Sequence, residues 1–284
     1  MSTTLTPPPV PPAEPPAGPP RKPRPASRVI AILMIALGAV VVLGAIASAA
    51  FTAIAAASVR TDTRTVDAAG LDALDVNISG GSLRIVYAQV DEAALDVTSG
   101  SGADRWRLDR EGDTLVLESP NSLFGGWWFG GNGRATLTLP AELERTELDA
   151  TLALAAGDLE ASGRFGQLAV EMGAGDLTVS GAARDVTADV SAGRAQLDLD
   201  GVSQAQIAVS AGQLMGRFTG SAPTDVGLTV SAGSLELALP DETYDVRADV
   251  SAGDLDNRLD TSNASPRVVE AEISAGQVIL RSGR

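Results

Sequence analysis

The sequence predicts a mainly β chain, a β-helix or solenoid-like repeat domain preceded by one transmembrane α-helix. Three observations carry this. A Ser-Ala-Gly phrase recurs along the chain. It is clearest at Ser191-Ala192-Gly193, and close variants place the same glycine at Gly157, Gly175, Gly212, Gly233, Gly253 and Gly276, at intervals of 18, 18, 19, 21, 20 and 23 residues. Apolar and polar residues alternate on both sides of each phrase, the period of a strand with one buried face. A stretch without any charge runs from Val29 to Val59. An antiparallel β-sandwich is the alternative, since each phrase also reads as strand, Ala-Gly turn, strand.

Residues 1–28 form a Pro-rich tail, with Pro7-Pro8-Pro9, Pro11-Pro12, Pro15-Pro16 and Pro19-Pro20. Proline at this density prevents helix and sheet, so a disordered cytoplasmic tail is expected. Residues 29–59 are read as the transmembrane helix and its juxtamembrane stretch, because about 20 apolar residues span a bilayer. Ala47-Ser48-Ala49 has the form of a signal-peptide cleavage site, but the apolar run outlasts a signal h-region, which favours an uncleaved anchor. Arg21, Lys22, Arg24 and Arg28 precede it. The positive-inside bias then puts the N-terminus in the cytoplasm and the β domain outside the cell membrane.

Residues 60–147 form an N-terminal β region. Leu74, Val76 and Ile78 alternate with Asp75 and Asn77, Ser79-Gly80-Gly81 turns the chain, and Leu83 and Ile85 follow. This is a diverged copy of the later phrase. Thr114-Leu115-Val116-Leu117 and Ala135-Thr136-Leu137-Thr138-Leu139 extend the pattern. Between them lies a Gly-rich loop that concentrates aromatic residues, Phe124, Trp127, Trp128 and Phe129. Such a loop either contacts a partner, a sugar ring or a membrane surface, or folds back as a lid over an open end of the core.

Residues 148–284 are the regular repeats. Around Gly193, Val186, Ala188 and Val190 alternate with polar residues before the corner, and Ala195, Leu197 and Leu199 do so after it. One copy has too little apolar surface to fold alone, whereas stacked copies bury a continuous core. Stacking in register would bring Ser191, Ser210, Ser231, Ser251 and Ser274 into one outward row. No separate C-terminal cap is expected, and Arg281 and Arg284 are expected to discourage edge pairing at the last strand.

Gly-Asp-Thr-Leu-Val-Leu at 112–117, the closing Leu139-Pro140, and the Gly-Asp-Leu coils at Gly157-Asp158-Leu159 and Gly175-Asp176-Leu177 resemble the bacterial putative-adhesin family of β-strand-repeat domains of unknown function. The resemblance spans about residues 65–284. It implies a right-handed β-helix-like fold at the cell surface or in the envelope, and offers no defined site to carry over.

Composition narrows the chemistry. The chain of 284 residues has a net charge of −15, with neither Cys nor His. Zinc sites built on Cys or His, and Ser-His or Cys-His nucleophile pairs, are therefore excluded. The acidic excess lies beyond residue 59 and repels phosphate backbones, so nucleic acid is not expected as a partner. No cofactor or metal is expected.

The function expected is that of a non-enzymatic, single-pass, extracytoplasmic adhesin-like protein that contacts envelope or cell-surface components. A membrane-bound sensor or regulator of the envelope is the first alternative. A polysaccharide-active enzyme is the second, because stacking in register would make Asp158 and Asp176 neighbours, with Arg194 beside them. Carboxylates about 5–5.5 Å apart are the arrangement of retaining glycosidases. The interaction candidates are Phe124, Trp127, Trp128 and Phe129, and no catalytic, cofactor-binding or metal-binding residue is assigned.

Overall fold

A computed structural model describes residues 60–99, 103–120 and 133–283. The Pro-rich tail, the apolar stretch at 29–59 and the aromatic residues Phe124, Trp127, Trp128 and Phe129 lie outside the described residues. The chain is mainly β. In order the strands are β1 (Arg60–Asp67), β2 (Ala73–Ile78), β3 (Ser82–Ala88), β4 (Glu92–Ser99), β5 (Arg107–Glu111), β6 (Thr114–Glu118), β7 (Arg134–Pro140) and β8 (Leu148–Leu154). Two long strands follow, β9 (Asp158–Met172) and β10 (Asp176–Val190). Then come β11 (Arg194–Asp200), β12 (Gln204–Val209), β13 (Gln213–Thr219), β14 (Asp225–Val230), β15 (Ser234–Pro240), β16 (Thr243–Val250), β17 (Asp254–Arg258), β18 (Asp260–Thr261), β19 (Val268–Ile273) and β20 (Gln277–Gly283).

The expected localisation is overturned. Among the described residues no helix is long and apolar enough to cross a membrane. Helical structure there is limited to the 3-10 turns Ala103–Arg105 and Leu143–Arg145. The physical reason lies in the pattern: the described apolar residues alternate with polar ones, which builds half-buried strands and not a continuous apolar helix. A cell-membrane placement with a cytoplasmic N-terminus and an extracytoplasmic β domain therefore has no support in these residues.

The alternation decides which side of each strand is buried. Ala195, Leu197 and Leu199 point into the core, while Arg194, Gln196 and Asp198 point out. The strands join into two ladders whose buried faces contribute to a single hydrophobic cluster. The first ladder follows the corner glycines and runs β7, β3, the first half of β9, the first half of β10, β11, β13, β15, β20, β17. The second precedes the corners and runs β6, β2, β8, the second halves of β9 and β10, β12, β14, β19, β16. All of these pairings are parallel. Antiparallel pairing is found at the N-terminal end, where β1 and β4 extend the first ladder and β5 extends the second.

The layers are not stacked in chain order. The last copy, β19 and β20, lies between the β14–β15 layer and the β16–β17 layer. The mirror arrangement occurs at the other end, where β2 and β3 lie between the β6–β7 layer and the layer begun by β8. The expectation for Arg281 is thereby corrected. Strand β20 is interior, and Arg281 donates from Nε to Glu236 Oε1 at 2.6 Å on the neighbouring strand. The far edge is formed by β16 and β17. There Val246 and Leu255 are only partly buried and Val250 is exposed, because no further layer covers their slots.

Candidate functional site

The corner glycines form a continuous backbone column. The N–H after each corner donates to the glycine carbonyl of the layer before: Ser82 to Gly133 at 3.0 Å, Asp158 to Gly81 at 2.9 Å, Asp176 to Gly157 at 2.9 Å, Arg194 to Gly175 at 2.9 Å. The column continues through Gln213 to Gly193, Ser234 to Gly212, Gln277 to Gly233 and Asp254 to Gly276. Glycine is required here because layers about 4.8 Å apart leave no room for a Cβ. One placed on Gly233 or Gly276 would collide with the carbonyl oxygen of the glycine one layer away. The exposed serines of the phrase form a row in the layer order Ser191, Ser210, Ser231, Ser274, Ser251, each joined to the preceding layer by its backbone N–H.

Gly133 belongs to this column, and sequence reasoning missed it. The signal was present: Gly133-Arg134-Ala135-Thr136-Leu137 has the same order as Gly193-Arg194-Ala195-Gln196-Leu197. The Ser-Ala-Gly phrase is absent there because the aromatic loop replaces it. That loop is therefore attached at a corner of the layer next to Gly81, with Pro120 and Gly133 as its described flanks. Ser119 is buried, its N–H donates to Asn77 O at 2.9 Å, and its Oγ accepts from Ser79 N–H at 2.7 Å.

Beside this corner, on the outer face of the first ladder, lies an open depression of about 260 Å³. Its polar walls include Ser82, Arg84, Arg134, Asp158, Glu160 and Asp176. Register explains the grouping. Arg134, Ser82, Asp158, Asp176 and Arg194 occupy one outward position on successive strands. The short Ser82 between Arg134 and Asp158 leaves the hollow. Ser82 Oγ donates to Asp158 Oδ2 at 3.0 Å, Arg194 bridges Asp176 at 3.1 Å, and Arg84 bridges Glu160 at 2.6 Å. Arg134 is exposed and makes no ion pair or side-chain hydrogen bond among the described residues.

The structure thus brings Asp158, Asp176 and Arg194 together, as the register argument expects, and adds Ser82, Arg84 and Arg134. Both aspartates stand in solvent. The wall can offer hydroxyl groups paired acceptors on Asp158 and Asp176 and a free guanidinium fork on Arg134. Among the described residues no group of acidic side chains is arranged to hold a metal ion.

No family model matches the chain, and no curated protein matches it. Among solved structures the chain is similar to a putative adhesin from Bacteroides fragilis, at 14% identity and a TM-score of 0.45, over 78% of this chain and 97% of that one. It is also similar to a putative cell adhesion protein from Clostridium sporogenes, at 11% identity and a TM-score of 0.37, over 79% and 100% of the two chains. A third is described as a putative lipid binding protein from Parabacteroides distasonis, at 13% identity and a TM-score of 0.41, over 78% and 96%. At TM-scores below 0.5 these likenesses carry neither a detailed fold nor a function over to this chain.

Proposed function

We propose that this chain is a non-enzymatic, adhesin-like binding protein that contacts a hydroxyl-rich, sugar-bearing partner at the Gly133 corner. In this reading the two ladders are the sides of a solenoid-like stack, and the corner beside Gly81 is where the stack is interrupted by a contact loop. One observation carries the proposal. The attachment point of the aromatic loop, Gly133-Arg134, lies in register beside the strand that begins at Ser82, and Arg134 lines the same depression as Asp158 and Asp176. Aromatic rings that stack on sugars and polar groups that take their hydroxyls are complementary halves of one recognition surface.

Catalysis is the weaker reading of the same residues. Asp176 is bridged by Arg194, Asp158 accepts from Ser82, and both are open to water. Acid–base cleavage of a glycosidic bond uses one carboxyl that an apolar surround keeps protonated as the general acid.

Glycan-array binding by the full chain tests the proposal, comparing it with the Trp127→Ala/Trp128→Ala variant and with Arg134→Ala. Loss of glycan binding in both, with unchanged thermal unfolding, is expected. Retained binding in both variants overturns the proposal, and release of reducing sugar from a bound glycan overturns its non-enzymatic part.

A further inference from the structure

A second depression lies on the outer face of the first ladder, among later layers, and none of the sequence candidates falls in it. It measures about 190 Å³ and is lined by Gln196, Asp198, Met215, Arg217, Glu236 and Arg281, with backbone from Leu197 and Gly216. Asp198, Arg217, Ala238 and Arg281 occupy one outward position on β11, β13, β15 and β20. Ala238, the small residue between the two arginines, does not line the depression, and it is fully buried although it is not part of the core cluster. It is therefore covered on the outer side, where Arg217 and Arg281 flank it.

The polar groups around this depression are not equivalent. Arg281 is fixed by its Nε bond to Glu236 at 2.6 Å, which pre-orients the fork, and its terminal nitrogens have no hydrogen-bond partner among the described residues. Arg217 and Asp198 are neighbours in register, yet they form no ion pair with each other or with any other described residue. A cation and an anion side by side, each with its hydrogen-bonding capacity unspent, suit a ligand that presents a carboxylate next to a hydroxyl. Gln196 adds one more donor and acceptor for hydroxyls. Met215, half-buried on the same face, supplies an apolar, adaptable surface for a ring. The volume is below the roughly 300–1,000 Å³ of pockets that enclose drug-sized ligands, so it fits a single ring and not a chain.

We infer that this depression is a binding site for a sugar acid, a single uronic-acid ring. Arg217 and the free face of Arg281 take its carboxylate, Asp198 and Gln196 take its hydroxyls, and Met215 lies under the ring. The site is separate from the Gly133 corner, shares no residue with it and does not depend on the reading given there.

Methyl-labelled methionine makes the test direct, because the chain has only four Met. Met215 lines the depression, whereas Met172 is buried in the core and serves as the internal control. Galacturonate titrated into the full chain is expected to shift the Met215 methyl resonance saturably and leave that of Met172 in place. Galactose, the same ring without the carboxylate, is expected to shift it at least tenfold more weakly at equal concentration. Arg217→Ala, an exposed substitution that leaves the ladder intact, is expected to abolish the response. Absence of a Met215 shift, an equal response to galactose, an equal response to the amino acid serine, or an unchanged response in Arg217→Ala each overturns the assignment.

Discussion

Gly175 lies one layer from Gly157 so closely that its Cα has no room for a substituent. A Cβ there would collide with the carbonyl oxygen of Gly157, and the Gly175 φ of +110° is one that side chains resist. The clash falls on the same carbonyl that accepts the Asp176 N–H at 2.9 Å. Gly175→Ala is therefore expected to cost about 3 kcal/mol or more, since strain and a backbone clash combine. Gly112 provides the contrast. Its φ is +68°, yet nothing lies within 4 Å of the position a Cβ would take. Gly112→Ala is expected to cost only about 1 kcal/mol, from the left-handed conformation alone. Chemical denaturation of the two variants checks the ordering, and equal losses would contradict it.

The chain has two tyrosines, and the fold holds both in the neutral form. Burial pushes Tyr244 up to about 12, and its hydroxyl donates to Pro240 O at 3.0 Å. Burial, with Glu144 nearby, pushes Tyr87 up to about 12 as well. A raised acid contributes stability that is complete below the unfolded value of 10 and is lost as pH rises through about 12. Ultraviolet titration of the native protein should show almost no tyrosinate at pH 10, where the denatured chain is half ionised. Stability measured between pH 10 and 12 should fall. A native midpoint near 10 would mean that neither ring is buried as described.

The far edge is guarded by charge. On β17, Arg258 donates from Nε to Asp256 Oδ2 at 3.0 Å, and this contact holds the Asp256 carboxyl below its ordinary range. On β16, Arg247 donates from Nη2 to Asp245 Oδ2 at 2.7 Å. Charged side chains along an unpaired edge oppose strand addition by a second chain. A depressed carboxylate gives stability that is present above its unfolded value and is lost as pH falls through the folded one. Carboxyl-carbon NMR should place the Asp256 midpoint below that of an ordinary aspartate, and Arg258→Ala should raise it. An unchanged midpoint in the variant would remove Arg258 as the cause.

Much of this fold is legible in the sequence, and the parts that are not share one physical reason. Alternation at Ala195-Gln196-Leu197 states which side of a strand faces the core, and the fixed Ala-Gly corner states where each strand ends. Neither states which strand is the neighbour. Val269, Ala271 and Ile273 would fit against Val226, Leu228 and Val230 or against Val246, Ala248 and Val250 equally well by pattern, and in the structure they contact both sides. The layer order is set by pairings that identical apolar slots cannot encode. The site shows the same limit. Asp158 beside Asp176 follows from the repeat, because equal spacing implies equal register. Arg134 does not, because the loop before Gly133 hides the corner that places it. The depression beside Arg217 is walled by side chains from β11, β13, β15 and β20, a grouping that a single strand does not display.

The interior position of the last strand gives the sharpest test of the layer order. In chain order β20 would be an edge, with its outer amides in water. In the structure its register partners are Leu235 and Leu255 at Val278, and Leu237 and Asn257 at Leu280. Both Val278 and Leu280 are fully buried, whereas Leu255 is partly exposed. Hydrogen exchange should therefore protect the amides of β20 more strongly than those of β17, although β17 comes earlier in the chain. Edge strands open locally at lower free energy than paired interior ones. Deleting residues 268–284 should remove an interior layer and expose the apolar faces of β14 and β15, with a loss of stability far larger than trimming an edge. Faster exchange in β20 than in β17, or a truncated chain that keeps its stability, would restore the sequential stack.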